Sequence, residues 1–60
     1  SKASRKRMDA VTSKIGEKLH ISGREAVKTL PFISCLMEEH EELGEQLELE
    51  EDEIDFVRKF

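Results

Sequence analysis

The stretch IGEKLHISGREAVKTL, residues 15–30, decides the fold. It reads as the end of one helix, a short turn and the start of another. Ser22 followed by Glu25 is the S-x-x-E signature of a capped helix N-terminus. Lys18 and His20 stand where positive charge suits a helix C-terminus. DNA-binding helix-turn-helix units have the same grammar. The stretch therefore either enters a major groove or turns a corner inside a helical domain.

Upstream, Met8, Val11, Ile15 and Leu19 recur at helical spacing and share one face. This predicts a first helix beginning near Ser4 or Arg5. The opening SKASRKR has no apolar anchor, so residues 1–4 are expected to fray. Downstream, Ala26, Val27, Leu30, Ile33 and Met37 carry the stripe onward. Pro31 interrupts it. Inside a helix a proline removes a hydrogen bond and crowds the preceding turn, at a cost of about 3 kcal/mol. The expectation is a short helix from Gly23 to about Thr29 and another from Pro31 to about Glu39, with one kinked helix as the alternative. A helix from about Glu41 to Leu47 follows. A last one runs from Glu50 or Glu51 to Lys59, with Ile54, Val57 and either Phe56 or Phe60 facing inward. Acids at its start and Arg58 and Lys59 at its end agree with the helix dipole. No strand alternation occurs. The fold class is all-α: a single domain over residues 1–60, a small bundle of four or five short helices with helix-turn-helix-like corners.

The opening motif has an echo. IGEKLHISGRE at 15–25 aligns without gaps on LGEQLELEEDE at 43–53. Gly16/Gly44, Glu17/Glu45, Leu19/Leu47 and Glu25/Glu53 are identical, and Ile15/Leu43 and Ile21/Leu49 are conservative. Each copy reads as a helix end, a turn plugged by one aliphatic residue, and a new helix, with the glycine allowing close approach. The charges differ: His20, Ser22 and Arg24 correspond to Glu48, Glu50 and Asp52. An acidic second copy would be a poor reader of phosphate. That favours corner-building over base recognition, through either duplication or shared turn grammar.

Sixty residues form a small domain that buries only about 60% of the surface its unfolded chain exposes. Net charge is −4, but residues 1–30 carry +5 and residues 31–60 carry −9. Either the halves attract each other or they face different partners. No apolar run approaches a membrane span and no signal-peptide region is present. With one cysteine, no internal disulfide can form. A reduced, cytoplasmic, monomeric chain is expected.

Arg24 and Lys28 on the second helix, and Arg5, Lys6 and Arg7 before the first apolar residue, are the candidate nucleic-acid contacts. Lys14 could join the latter group. A stand-alone helix-turn-helix DNA binder would use Arg24 and Lys28 on bases and phosphates. That helix, taken from Gly23 to about Thr29, has no Asn, Gln or aromatic residue, so base readout has little to work with. A solvated helix face is the plainer account. Phosphate contact by the basic arm would be independent of sequence. Cys35, beside Leu36, is expected to be a buried, inert thiol. His20 and His40 fall near helix ends, where capping accounts for them. The acids at 38–55 lack the ordering of a calcium loop, and Gly16, Gly23 and Gly44 are too isolated for a phosphate loop. No catalytic constellation, metal site or cofactor site can be assembled. The chain reads as a non-enzyme, with an acidic protein-docking module as a third reading.

From RKRMDAV to EIDFV, about residues 5 to 57, the chain resembles the C-terminal helical region of the archaeal replication factor C large subunit, the clamp loader. Lys18, His20 and Ser22 match its K…H-x-S corner. Leu47, Leu49, Glu53, Ile54 and Phe56 match its L-x-L-x-x-x-E-I-x-F ending. The resemblance implies a collar-type domain, part of a larger multidomain subunit, that packs against clamp-loader small subunits. Contact with the sliding clamp and primer–template DNA would come through the full complex. No nucleotide-binding motif is present, so no catalytic residue carries over. EIDFVRKF lacks the Gln and paired aromatics of a clamp-binding tail, so direct clamp binding is not implied.

Overall fold

The computed structural model describes residues 1–60 as four helices without strands: α1 (Lys2–Leu19), α2 (Gly23–Glu39), α3 (Leu43–Gln46) and α4 (Glu51–Val57). The all-α expectation holds. Two of the four helices are long, at 18 and 17 residues. α1 and α2 pack together, α4 closes onto both, and α3 rests on α2.

The core follows the apolar spacing. Val11 and Ile15 of α1 meet Ala26, Leu30, Ile33 and Met37 of α2. Leu47, Leu49 and Val57 close the far side, with Met8, Ile21, Leu43, Ile54 and Phe56 packed around. Buried Thr12 is satisfied by donating its hydroxyl to the Met8 carbonyl at 2.8 Å. The first four residues, expected to fray, form the cap and opening turn of α1, where Ser1 Oγ accepts from the Ser4 N–H.

Three further expectations need correction. The break at Pro31 does not occur, because α2 is one helix with Pro31 inside it. Leu30, Ile33 and Met37 lie on one face only if the helix continues, and their burial outweighs the lost bond. The Thr29 hydroxyl donates to the Ala26 carbonyl at 2.6 Å and supports the crowded turn. Pro31 itself is exposed, where an unpaired carbonyl can reach water. Second, Cys35 is exposed, since the buried face of α2 is filled by Ala26, Leu30, Ile33 and Met37 and position 35 points away from it. Third, the apolar stripes are narrower than their spacing implied, because Leu19 and Val27 stay largely exposed.

The two echoed corners have the same geometry. His20 has φ 58° and Glu48 φ 61°, both left-handed and 28 residues apart. The Ile21 N–H donates to the Gly16 carbonyl at 3.0 Å, and the Leu49 N–H donates to the Gly44 carbonyl at 3.0 Å. These are the long hydrogen bonds of a Schellman ending, followed in each case by an aliphatic plug. A methyl group on Gly16 would stand 2.8 Å from the Ile21 carbonyl oxygen, and one on Gly44 would stand 2.5 Å from Ile54 Cδ1. At Gly16 the close atom is backbone, so only glycine fits there, whereas at Gly44 it is the Ile54 side chain, which would have to shift. At the first corner Ser22 Oγ accepts from the Glu25 N–H at 3.1 Å. Glu25 bonds the Ser22 hydroxyl, not the Ser22 N–H expected from a full capping box. At the second corner Glu53 makes that reach, accepting from the Glu50 N–H at 2.7 Å.

Candidate functional site

Arg7, Lys14 and Lys18 stand seven and four residues apart, which puts them on one stripe of α1 beside its apolar face. The second corner and the start of α4 supply acids to that stripe. Lys14 Nζ meets Glu53 Oε1 at 2.6 Å, Lys18 meets Glu48 at 3.3 Å and Arg7 meets Asp52 at 3.5 Å. The opposed charges of the two halves are thus joined inside one molecule. Glu53 is the buried member, with 7% of its surface exposed. Burial pushes its carboxyl up, but the Glu50 N–H and the Lys14 ammonium outweigh this and hold it below its ordinary value. The same hydrogen bond raises Lys14 against the opposing effect of desolvation.

This arrangement redistributes the candidate contacts. Arg7 and Lys14, read as phosphate partners, are engaged with acids. Arg5 and Lys6 remain exposed without an ion pair near the start of α1. Arg24 and Lys28 are exposed on α2, which begins where α1 ends. Roughly 18 Å of helical rise separates Arg7 from that corner. The structure therefore does not gather the five candidates into one basic patch.

Sequence reasoning missed the outer face of α2. Phe32 is 72% exposed and Leu36 47%, and Cys35 lies beside them. Lys28 precedes this cluster and Glu39 follows it. The signal was available: Phe32 lies four residues after Lys28 and one after Pro31, off the Leu30–Ile33–Met37 face. A recognition helix with this surface would bring apolar and acidic side chains to the groove alongside Arg24 and Lys28. A concavity of about 280 Å³ is lined by Met37, Glu38, Glu41, Gly44, Ile54 and Arg58. No helix is long and apolar enough to cross a membrane.

Comparison with protein-family models, curated proteins and solved structures finds no match.

Proposed function

We propose that the chain is a non-catalytic, collar-type helical module of a cytoplasmic clamp-loader large subunit. It contributes to subunit assembly while nucleotide chemistry and clamp opening take place elsewhere in the complex. One observation carries this reading: the basic stripe of α1 is neutralised internally by Glu48, Asp52 and Glu53, while the outer face of α2 exposes Phe32 and Leu36. Such a molecule is better suited to packing against protein than to reading a polyanion. The residues behind the clamp-loader resemblance also have defined structural duties. His20 and Ser22 form the first corner, and Leu47, Leu49 and Glu53 are buried in the second.

The alternative, a stand-alone helix-turn-helix DNA binder, draws support from the short turn between α1 and α2 and from exposed Arg24 and Lys28. Co-elution of archaeal clamp-loader small subunits with a large subunit that carries or lacks this segment tests the proposal. Assembly should require the segment, and equal assembly without it would overturn the reading. Tight, sequence-dependent binding of the chain to duplex DNA at physiological salt would promote the alternative.

A further inference from the structure

The outer face of α2 has a symmetry of its own. Lys28, Phe32, Cys35 and Glu39 follow one another at spacings of four, three and four, as along a coiled-coil seam. All four are exposed, and neither Lys28 nor Glu39 belongs to any of the chain's ion pairs. The order is a base, two uncharged side chains and an acid. It is symmetric about the point between Ile33 and Ser34, and Pro31 and Leu36 are mirrored about the same point.

We infer that this face is a docking surface for a second copy of the chain, with two α2 helices packed antiparallel about a two-fold axis. In that register Lys28 of each copy faces Glu39 of the other. Phe32 packs over Cys35, and Leu36 over Pro31. A two-fold axis forms every such contact twice. A parallel arrangement would set Lys28 against Lys28 and Glu39 against Glu39, so charge selects the antiparallel one. One helix face buries less than the roughly 800 Å² per partner typical of stable complexes. The dimer is therefore weak, and the monomer prevails in dilute solution. The assembly role proposed above uses the same face, so the dimer belongs to the free chain, and its test by sedimentation stands or falls apart from the co-elution test of that role.

Sedimentation equilibrium from micromolar to near-millimolar concentration tests it on the full chain, with Lys28→Glu, Glu39→Lys and the combined exchange. Circular dichroism would verify that each variant folds. The parent should show reversible monomer–dimer association. Each single reversal alters two facing pairs and should weaken association about tenfold. The double exchange rebuilds both pairs and should restore association to within about threefold of the parent. A short bis-maleimide should link Cys35 to Cys35, because the two are offset by only about 4.5 Å along the axis in this register. Three outcomes would overturn the inference: a monomer at every concentration, a dimer indifferent to both reversals, or a double exchange that fails to restore what the singles lose. Association that is sensitive to Arg5 or Lys6 instead would place the contact on another face and overturn it equally.

Discussion

Glu53 has three duties in one side chain. It is buried, it caps α4 through the Glu50 N–H, and it holds Lys14 across the domain. Its folded-state affinity for a proton is lowered, whereas in the unfolded chain it titrates near its ordinary value of 4.5. As pH falls, the unfolded state takes up the proton first, and stability drops with it. The contribution is complete above about pH 4.5 and disappears as pH falls through the lowered folded value. Glu53→Gln should flatten the acid limb of a stability-versus-pH curve measured by urea denaturation, and an unchanged limb would contradict this. Glu53→Ala should cost about 1–2 kcal/mol at neutral pH through loss of the cap bond and burial of an unmatched N–H. The sequence placed acids near the start of the last helix, but it could not reveal this pair, whose members lie 39 residues apart. A left-handed His20 and Glu48 were also hidden, since neither residue type announces a positive φ as glycine would.

Helices and corners were the most legible level, because spacing and capping are local. The Gly16 and Gly44 corners were visible as repeated text, and their bonding proves equivalent. Glycine has opposite meanings at two nearby positions. Gly23 opens α2 with open space where a methyl group would stand, nothing lying within 4 Å, whereas a methyl on Gly16 would meet the Ile21 carbonyl at 2.8 Å. Gly23→Ala should stabilise by about 0.4–1 kcal/mol. Gly16→Ala should destabilise by about 1–3 kcal/mol, despite alanine's better helix propensity. Thermal melts of the two variants should move in opposite directions. Pro31 shows where a local rule yields to packing. Its neighbours bury Leu30, Ile33 and Met37 on a continuous face, so the helix keeps a residue that disfavours it. Pro31→Ala should restore the Val27 carbonyl's missing partner and stabilise by about 1–3 kcal/mol, partly offset by a freer unfolded chain. A lower melting midpoint for that variant would show that the proline is structurally required. Cys35 departs from its expected burial for the complementary reason. An apolar neighbourhood in sequence spans the whole circumference of a helix, while a small core uses one side.

For the whole molecule, the asymmetry between the basic and acidic halves was legible, but the way it is resolved was not. Composition alone allowed either internal pairing or two separate partners; in the folded chain Arg7, Lys14 and Lys18 pair internally with Asp52, Glu53 and Glu48. DNA binding by the chain should accordingly be weak, nonspecific and steeply reduced by salt. Substituting Arg5 and Lys6 should reduce it more than substituting Arg24, as measured by fluorescence anisotropy with a labelled duplex. The reverse ordering would point to α2 as a reading helix. The outer face of α2 was legible in part, since helical spacing sets Phe32 off the Leu30–Ile33–Met37 face, but the apolar stripe drew attention to the buried side alone.

The bridge from Lys14 to Glu53 also bears on the order of events in time. The α1–α2 hairpin closes over a short turn, but the bridge must bring together segments far apart along the chain. Closing the longer loop costs more entropy before any contact rewards it, so the hairpin should form first and α4 should dock late. Interactions made after the rate-limiting barrier govern how fast a native molecule opens, with little effect on how fast it forms. In stopped-flow experiments, weakening the bridge at Glu53 should therefore steepen the loss of the native state and leave refolding nearly unchanged. Disturbing Ile15 against Leu30 should slow refolding. The α4 segment then acts as a latch: it sets the lifetime of the fold more than its speed of formation.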